Sequence, residues 1–254
     1  MQFSTSDHTH LPPLIIAIDG PAGSGKSTTA RIVAERLGYV YLDTGAMYRA
    51  VALSQLRGGG DEKRYEYAPD VSIDVRYEQG EMRVLLDGED VSEAIRTPEI
   101  GSLASRISKV PEVRERLVDL QRRTARDFIA RGIGVVLDGR DIGTVVFPDA
   151  DLKFFMVADP EVRAWRRQAE LAARGRFVHI EDVLAEIVER DRQDTERAIA
   201  PLRKADDAEV LDTTRCDIDE QVTYIIEKVR ERASLDTVKP SSSRLQQAGG
   251  RENA

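Results

Sequence analysis

The chain carries a single cysteine, Cys216. No intrachain disulfide can form, which points to a reducing, cytoplasmic setting. Cys216 reads as an ordinary thiol and not as a catalytic one. Histidine is scarce as well: His8, His10 and His179 lack metal-ligand spacing, so no zinc site is expected. No apolar run reaches the roughly 18 residues of a membrane-spanning helix. The opening stretch, MQFSTSDHTHLPP, lacks the basic region and apolar core of a signal peptide. A basic excess is missing too. The net charge of −8 disfavours a broad nucleic-acid surface, which usually needs positive charge. The guanine-reading pattern N-K-x-D is absent, which weakens a GTPase reading.

What remains is a globular composition, 41% hydrophobic and 32% charged over 254 residues, enough for a sizeable core. Residues 14–19 (LIIAID) are a short, continuous, β-branched apolar run, the pattern of a buried strand. A glycine-rich loop follows. Ala30, Val33, Ala34 and Leu37 then fall on one helical face, and Gly38 ends that helix. Strand character returns at 39–42, 132–139, 151–158 and 208–214, and helical spacing at 43–57, 111–128, 159–175, 180–194 and 217–233. Between them, Ile73, Val75 and Tyr77 alternate, Gly80 intervenes, and Met82, Val84 and Leu86 alternate again. That island predicts a hairpin. Strands alternating with helices predict a parallel sheet covered on both faces, with ligands beyond the carboxyl ends of its strands.

Three motifs fall at those ends. Gly20-Pro-Ala-Gly-Ser-Gly25-Lys26-Ser27 matches G-x-x-x-x-G-K-[ST] between a strand and a helix. Glycines let backbone N–H groups curl around phosphate oxygens, Lys26 adds a full charge, and the Ser27 hydroxyl can bind Mg²⁺. In DTGAMYR (43–49), Arg49 would suit an anion, although alone Asp43 or Thr44 reads as a helix cap and Arg49 as a surface arginine. In LDGRDIG (137–143), Asp138 and Asp141 flank Arg140; a ligand site and a tight turn are equally open there. Arginines are also dense at 163, 166, 167, 174, 176, 190, 192, 197 and 203. Phosphoryl transfer spreads negative charge that such cations offset, but nearby glutamates could neutralise many of them on a solvated face.

Assembled, these residues resemble bacterial cytidylate kinase, a nucleoside monophosphate kinase family of the P-loop superfamily. The resemblance runs from about Ile15 to Ala233 and is carried by IDGPAGSGKST, YLDTGAMYRAVAL, LDGEDVSEAIRTPEI, VRERLVDLQRRTA, DGRDIGTVVFPDADLKFFMVA and ERDRQDTERAIAPLRKADDAEVLDTT. It implies an α/β fold: a P-loop NTPase-type parallel sheet with helices on both faces, a small inserted monophosphate-binding subdomain and an arginine-rich lid. The expected division is a disordered lead-in at 1–13, a kinase domain at 14–233 and a disordered tail at 234–254. Within the domain, 14–64, 111–160 and 195–233 would form the core, about 65–110 the insert and about 161–194 the lid.

The implied reaction moves the terminal phosphoryl group of ATP to CMP or dCMP, giving ADP and CDP or dCDP, with UMP used less well and Mg²⁺ as cofactor. Gly20, Pro21, Ala22, Gly23, Ser24, Gly25, Lys26, Ser27 and Thr28 would hold ATP, with Ser27 on the metal. Lys26, Arg166 and Arg167 would be catalytic. Thr44, where the family more often has Ser, with Tyr48 and Arg49 would line the acceptor site. Ser105, Arg114 and Asp141 would read the cytosine edge, Arg140 and Arg197 the acceptor phosphate, and Asp194 the ribose. The partners implied are small molecules alone, with no nucleic acid or membrane, and a monomer. Another small-molecule kinase or a nucleotide-dependent switch are the rival readings; a switch needs only one anion-binding site, and here there are two sets of residues.

Overall fold

The computed structural model describes residues 11–58, 71–78 and 80–238. In chain order these form β1 (Ile15–Asp19), α1 (Lys26–Leu37), β2 (Val40–Asp43), α2 (Thr44–Arg57), β3 (Ile73–Glu78), β4 (Glu81–Leu86) and β5 (Glu89–Asp90). Then come α3 (Pro98–Ile107), α4 (Pro111–Ala130), β6 (Val135–Gly139), a π-helical turn (Ile142–Val146) and β7 (Leu152–Val157). Last are α5 (Pro160–Ala173), α6 (Ile180–Glu196), β8 (Glu209–Asp212) and α7 (Ile218–Val238). Most of the expected lead-in, the start of the expected insert and most of the expected tail lie outside the described residues.

Five strands make one parallel sheet in the order β2-β6-β1-β7-β8. Side chains alternate across a strand, and the two faces feed two cores. Ala17, Leu42, Val135 and Leu137 point to one, where α2, α3 and α4 pack. Ile16, Ile18, Val136, Phe154 and Met156 point to the other, closed by α1 and α7. A strand buried on both faces has no polar alternation, which is why these segments read as continuous apolar runs. The hairpin pairs as its spacing predicts, Ile73 opposite Leu86 and Tyr77 opposite Met82, and β5 adds a third strand. A smaller cluster of Ala164, Leu171, Val183 and Ile187 holds α5 against α6.

Two features differ from the sequence pattern. α7 continues to Val238 instead of stopping at Ala233. A further helix, α3, occupies Pro98–Ile107, with the Thr97 side chain accepting from the Ile100 N–H as its cap. At the other end, Leu11 packs on the second core and the Pro12 carbonyl accepts from the Tyr39 hydroxyl.

β1 lies between β6 and β7, and the chain passes across it from β6 to β7, so its carboxyl end is where a sheet of this kind opens its ligand crevice. Gly20 stands there at φ +150°, and a Cβ on it would lie 2.1 Å from the backbone oxygen of Met156 on β7. That oxygen cannot move without breaking the sheet. Gly20→Ala is therefore expected to cost more than about 3 kcal/mol, read as a large fall in thermal midpoint or loss of soluble protein.

Candidate active site

The loop after β1 is a cradle whose carbonyls are held by side chains. Pro21 O accepts from Lys26 Nζ at 2.6 Å and from Ser24 Oγ at 3.1 Å. Ala22 O accepts from Arg163 Nη1 at 3.2 Å, and Ser24 O from Thr213 Oγ1 at 2.9 Å. A trans peptide is planar, so a carbonyl fixed outward turns the next N–H the other way. The N–H groups of Gly23 and Gly25 are thus directed away from Arg163 and Thr213, at the positive end of the α1 dipole. That is an anion-binding nest.

Charge is concentrated around it. Lys26 is buried, and burial first, then the Arg140 guanidinium, pushes its pKa down to about 7 against the pull of Asp138 and Asp19. Ser27 Oγ donates to Asp138 Oδ2 at 2.6 Å, and the Tyr41 hydroxyl to Asp138 Oδ1 at 2.9 Å. Burial raises the Asp138 carboxyl above its ordinary range, and Asp43 on the neighbouring strand adds to the rise. At the end of β1, Asp19 accepts from the N–H groups of Ile142 and Gly143 at 2.8 and 2.7 Å. Its burial outweighs those bonds and lifts its pKa to about 6.

Next to it lies a second group of charges. Arg140 Nε donates to Asp194 Oδ2 at 2.7 Å; burial opposes both charges, yet their attraction holds Asp194 low and Arg140 high. Asp141 is gripped by Arg114 and lies 3.7 Å from Arg197 Nη2. Arg114 also reaches the Tyr48 hydroxyl and the Ser108 carbonyl, at 3.5 and 3.4 Å. Burial, then Arg140, lowers the pKa of Arg190 to about 10. Thr44 Oγ1 donates to the Asp138 carbonyl at 2.7 Å, tying α2 to β6. Arg49 donates to Asp43 at 2.7 Å. Among the described residues, the guanidinium nitrogens Arg49 Nε, Arg190 Nε and Arg197 Nη2 are buried without a hydrogen-bond partner, although Arg49 is ion-paired with Asp43 and Arg197 with Asp141. Buried donors are rarely left so, which leaves these nitrogens open to an acceptor.

A family model described as cytidylate kinase matches residues 16–231. The chain belongs to the cytidylate kinase family. It is 53% identical over 227 residues to a cytidylate kinase of Salinibacter ruber, covering 88% of this chain and 100% of that protein. A cytidylate kinase of Pelotomaculum thermopropionicum is 50% identical over 219 residues, 84% of this chain and 95% of that one. Among solved structures, a gluconokinase from Sinorhizobium meliloti aligns over 90% of this chain and 98% of its own, at 14% identity and a TM-score of 0.48.

Of the residues that the cytidylate kinase resemblance singled out, Lys26, Arg140 and Asp194 form one electrostatic cluster. Tyr48, Arg114, Asp141 and Arg197 form another, and Arg197 also feels Asp194. Arg49 stands one step away on Asp43, the strand partner of Asp138. Ser105 is half-buried on α3, near the Ser108 carbonyl that meets Arg114. Thr28 is exposed in the first turn of α1. Arg166 is bonded to both oxygens of Thr213, at 3.1 and 2.6 Å, and so braces the cradle from behind. Arg167 pairs with Glu170 at 3.1 Å, but its charge also acts on Arg190.

Asp19, Asp138 and Arg190 stand close to Lys26 or Arg140, and Asp43 close to Asp138, although the resemblance gives them no role, and Arg163 and Asp191 lie behind the cradle. For Asp138 the signal was present: a carboxylate closing an apolar strand beside the glycine loop. Arg190 stood among many arginines, and nothing in its spacing separates it from Arg192, which pairs with Glu189 and Glu196 on the surface.

Proposed function

We propose that this chain transfers the terminal phosphoryl group of ATP to CMP or dCMP, giving ADP and CDP or dCDP. The observation that carries the reading is the set of buried guanidinium nitrogens without a hydrogen-bond partner on Arg49, Arg190 and Arg197, which supplements the phosphate cradle. One anion would occupy the cradle formed by residues 20–28; a second would sit against Arg140, Arg190 and Arg197. Arg114 and Asp141 would meet the pyrimidine edge with Ser105, Asp194 the ribose, and Thr44, Tyr48 and Arg49 would close the acceptor side. Residues 14–64, 111–160 and 195–233 would act as the core, about 65–110 as the acceptor-binding insert and about 161–194 as the lid, in a monomer.

The acceptor is already an anionic phosphate oxygen, so no strong general base is needed. Catalysis then consists of positioning and of offsetting charge in a dry site. Lys26 would lie against the transferring group, with Arg167 closing from α5 and Arg166 leaving Thr213 to join it. Ser27 Oγ and the Asp138 carboxylate, 2.6 Å apart, are hard oxygen donors that fit Mg²⁺ and would hold it. Bound there, the metal would neutralise phosphate charge. Closure of the lid would exclude water, the competing acceptor.

ADP release with CMP, dCMP, UMP, AMP and shikimate as acceptors tests this. CMP and dCMP should be turned over well, UMP less so, and AMP and shikimate hardly at all. AMP or shikimate as the best acceptor would end the cytidylate reading. ATP and CMP both binding with no ADP formed would leave a nucleotide switch.

A further inference from the structure

We infer that Arg163 and Asp191 form a positioning pair that couples filling of the phosphate cradle to the placement of the acceptor-side residues on α6. The inference rests on the kinase reading above. Arg163 belongs to the arginine-dense α5, yet it does not face a ligand. It is 3% exposed, behind the cradle. Its Nε donates to the Ala158 carbonyl at 2.9 Å, and Nη1 to the Ala22 carbonyl at 3.2 Å. Its two terminal nitrogens fork the carboxylate of Asp191, at 3.0 and 2.6 Å.

Each end of this contact is tied to one of the two anion sites. At one end, the Ala22 carbonyl sets the plane of the peptide whose N–H belongs to Gly23, one of the donors of the nest. Gly23 is also where the loop passes closest: a Cβ on it would lie 3.1 Å from Arg163 Cβ. At the other end, Asp191 sits on α6 between Arg190 and Asp194. Asp194 holds Arg140, and Arg190 carries the buried, unpartnered Nε. A planar guanidinium forked onto a carboxylate has little slack, unlike a lysine ammonium on a flexible stem. A phosphate held by the Gly23 N–H therefore loads the 22–23 peptide that Arg163 grips, and Arg163 passes that load to the turn of α6 that presents Arg190 and Asp194. By reciprocity, an acceptor that draws α6 inward tightens the cradle.

The test is the affinity of the full chain for CMP, by calorimetry, with and without saturating adenylyl imidodiphosphate. In the wild type the donor analogue is expected to tighten CMP binding by about fivefold or more, the lower end of ordinary allosteric coupling. Asp191→Asn, at a partly exposed carboxylate, and Arg163→Lys should both bring that ratio close to one, while CMP affinity without the analogue stays within about threefold of wild type. A merely structural role would weaken CMP equally in both conditions and leave the ratio untouched. A wild-type ratio of one, or variants that keep the wild-type ratio, would overturn the pair's role. ADP release by the wild type is measured alongside: its presence with an unchanged ratio removes only this inference, whereas its absence removes the kinase reading itself.

Discussion

Lys26→Ala is expected to lower turnover by about two to three orders of magnitude, some 3–4 kcal/mol of barrier, as when a single donor to developing charge is removed elsewhere. The reason lies in what the amine touches. Among the described residues, Lys26 Nζ bonds only to Pro21 O and, at 3.4 Å, to Ser24 Oγ, and no carboxylate pairs with it directly. It is held ready for an anion at some cost, because burial and Arg140 lower its pKa from 10.5 to about 7. The sign follows. Between pH 7 and 10.5 the unfolded chain holds a proton on this amine that the folded chain releases, so Lys26 makes stability rise with pH across that window. Below the window its charged form is a full penalty. The variant should therefore melt no lower than wild type at pH 7, and its midpoint should rise less on going to pH 9. ADP-release kinetics and thermal unfolding at the two pH values check both halves. Wild-type turnover in the variant would remove the lysine from the mechanism; a collapse in stability would mean that its bond to Pro21 O holds the loop together.

How much of this could be read beforehand depends on how local each feature is. The strand, glycine loop and helix around Lys26 follow from contiguous residues, and so do the paired strands on either side of Gly80. α3 was equally local: Thr97 as cap, Pro98 in the first turn, then Ile100, Leu103, Ala104 and Ile107 on one buried face. Its signal was hidden by the hairpin reading of the surrounding island. The π-helical turn at Ile142–Val146 was not local at all. Its first N–H groups are satisfied by Asp19, more than a hundred residues earlier, so nothing in the GRDIG stretch could announce it. The same holds for the ion pairs. Spacing shows that α6 has a charged face, but only the fold decides that Asp194 meets Arg140 and Asp191 meets Arg163. The family resemblance supplied residue roles that spacing could not, yet it left out Arg163 and Asp191, whose contacts run to the backbone and to each other.

Asp141→Ala should be among the most damaging single changes to stability. Asp141 is buried between Arg114 and Arg197, two guanidiniums that are themselves buried. Losing the carboxylate strands both charges, and breaking a buried pair costs about 3–5 kcal/mol. For a domain of this size each kcal/mol lowers the midpoint by roughly 2–4 °C, so the fall should be on the order of 10 °C. The source of the loss can be separated by a cycle. If the penalty is the stranded charge, Arg114→Met combined with Asp141→Leu should lose less than the sum of the two single changes. Binding separates the two halves of the crevice as well. On the proposed assignment Asp141 faces the acceptor, so the variant should lose CMP affinity while binding an ATP analogue nearly as the wild type does. Circular-dichroism melting and calorimetric titration with each nucleotide give these values. Equal losses of both ligands would mean that the aspartate maintains the whole crevice, and an unchanged midpoint would mean that water already relieves the two arginines.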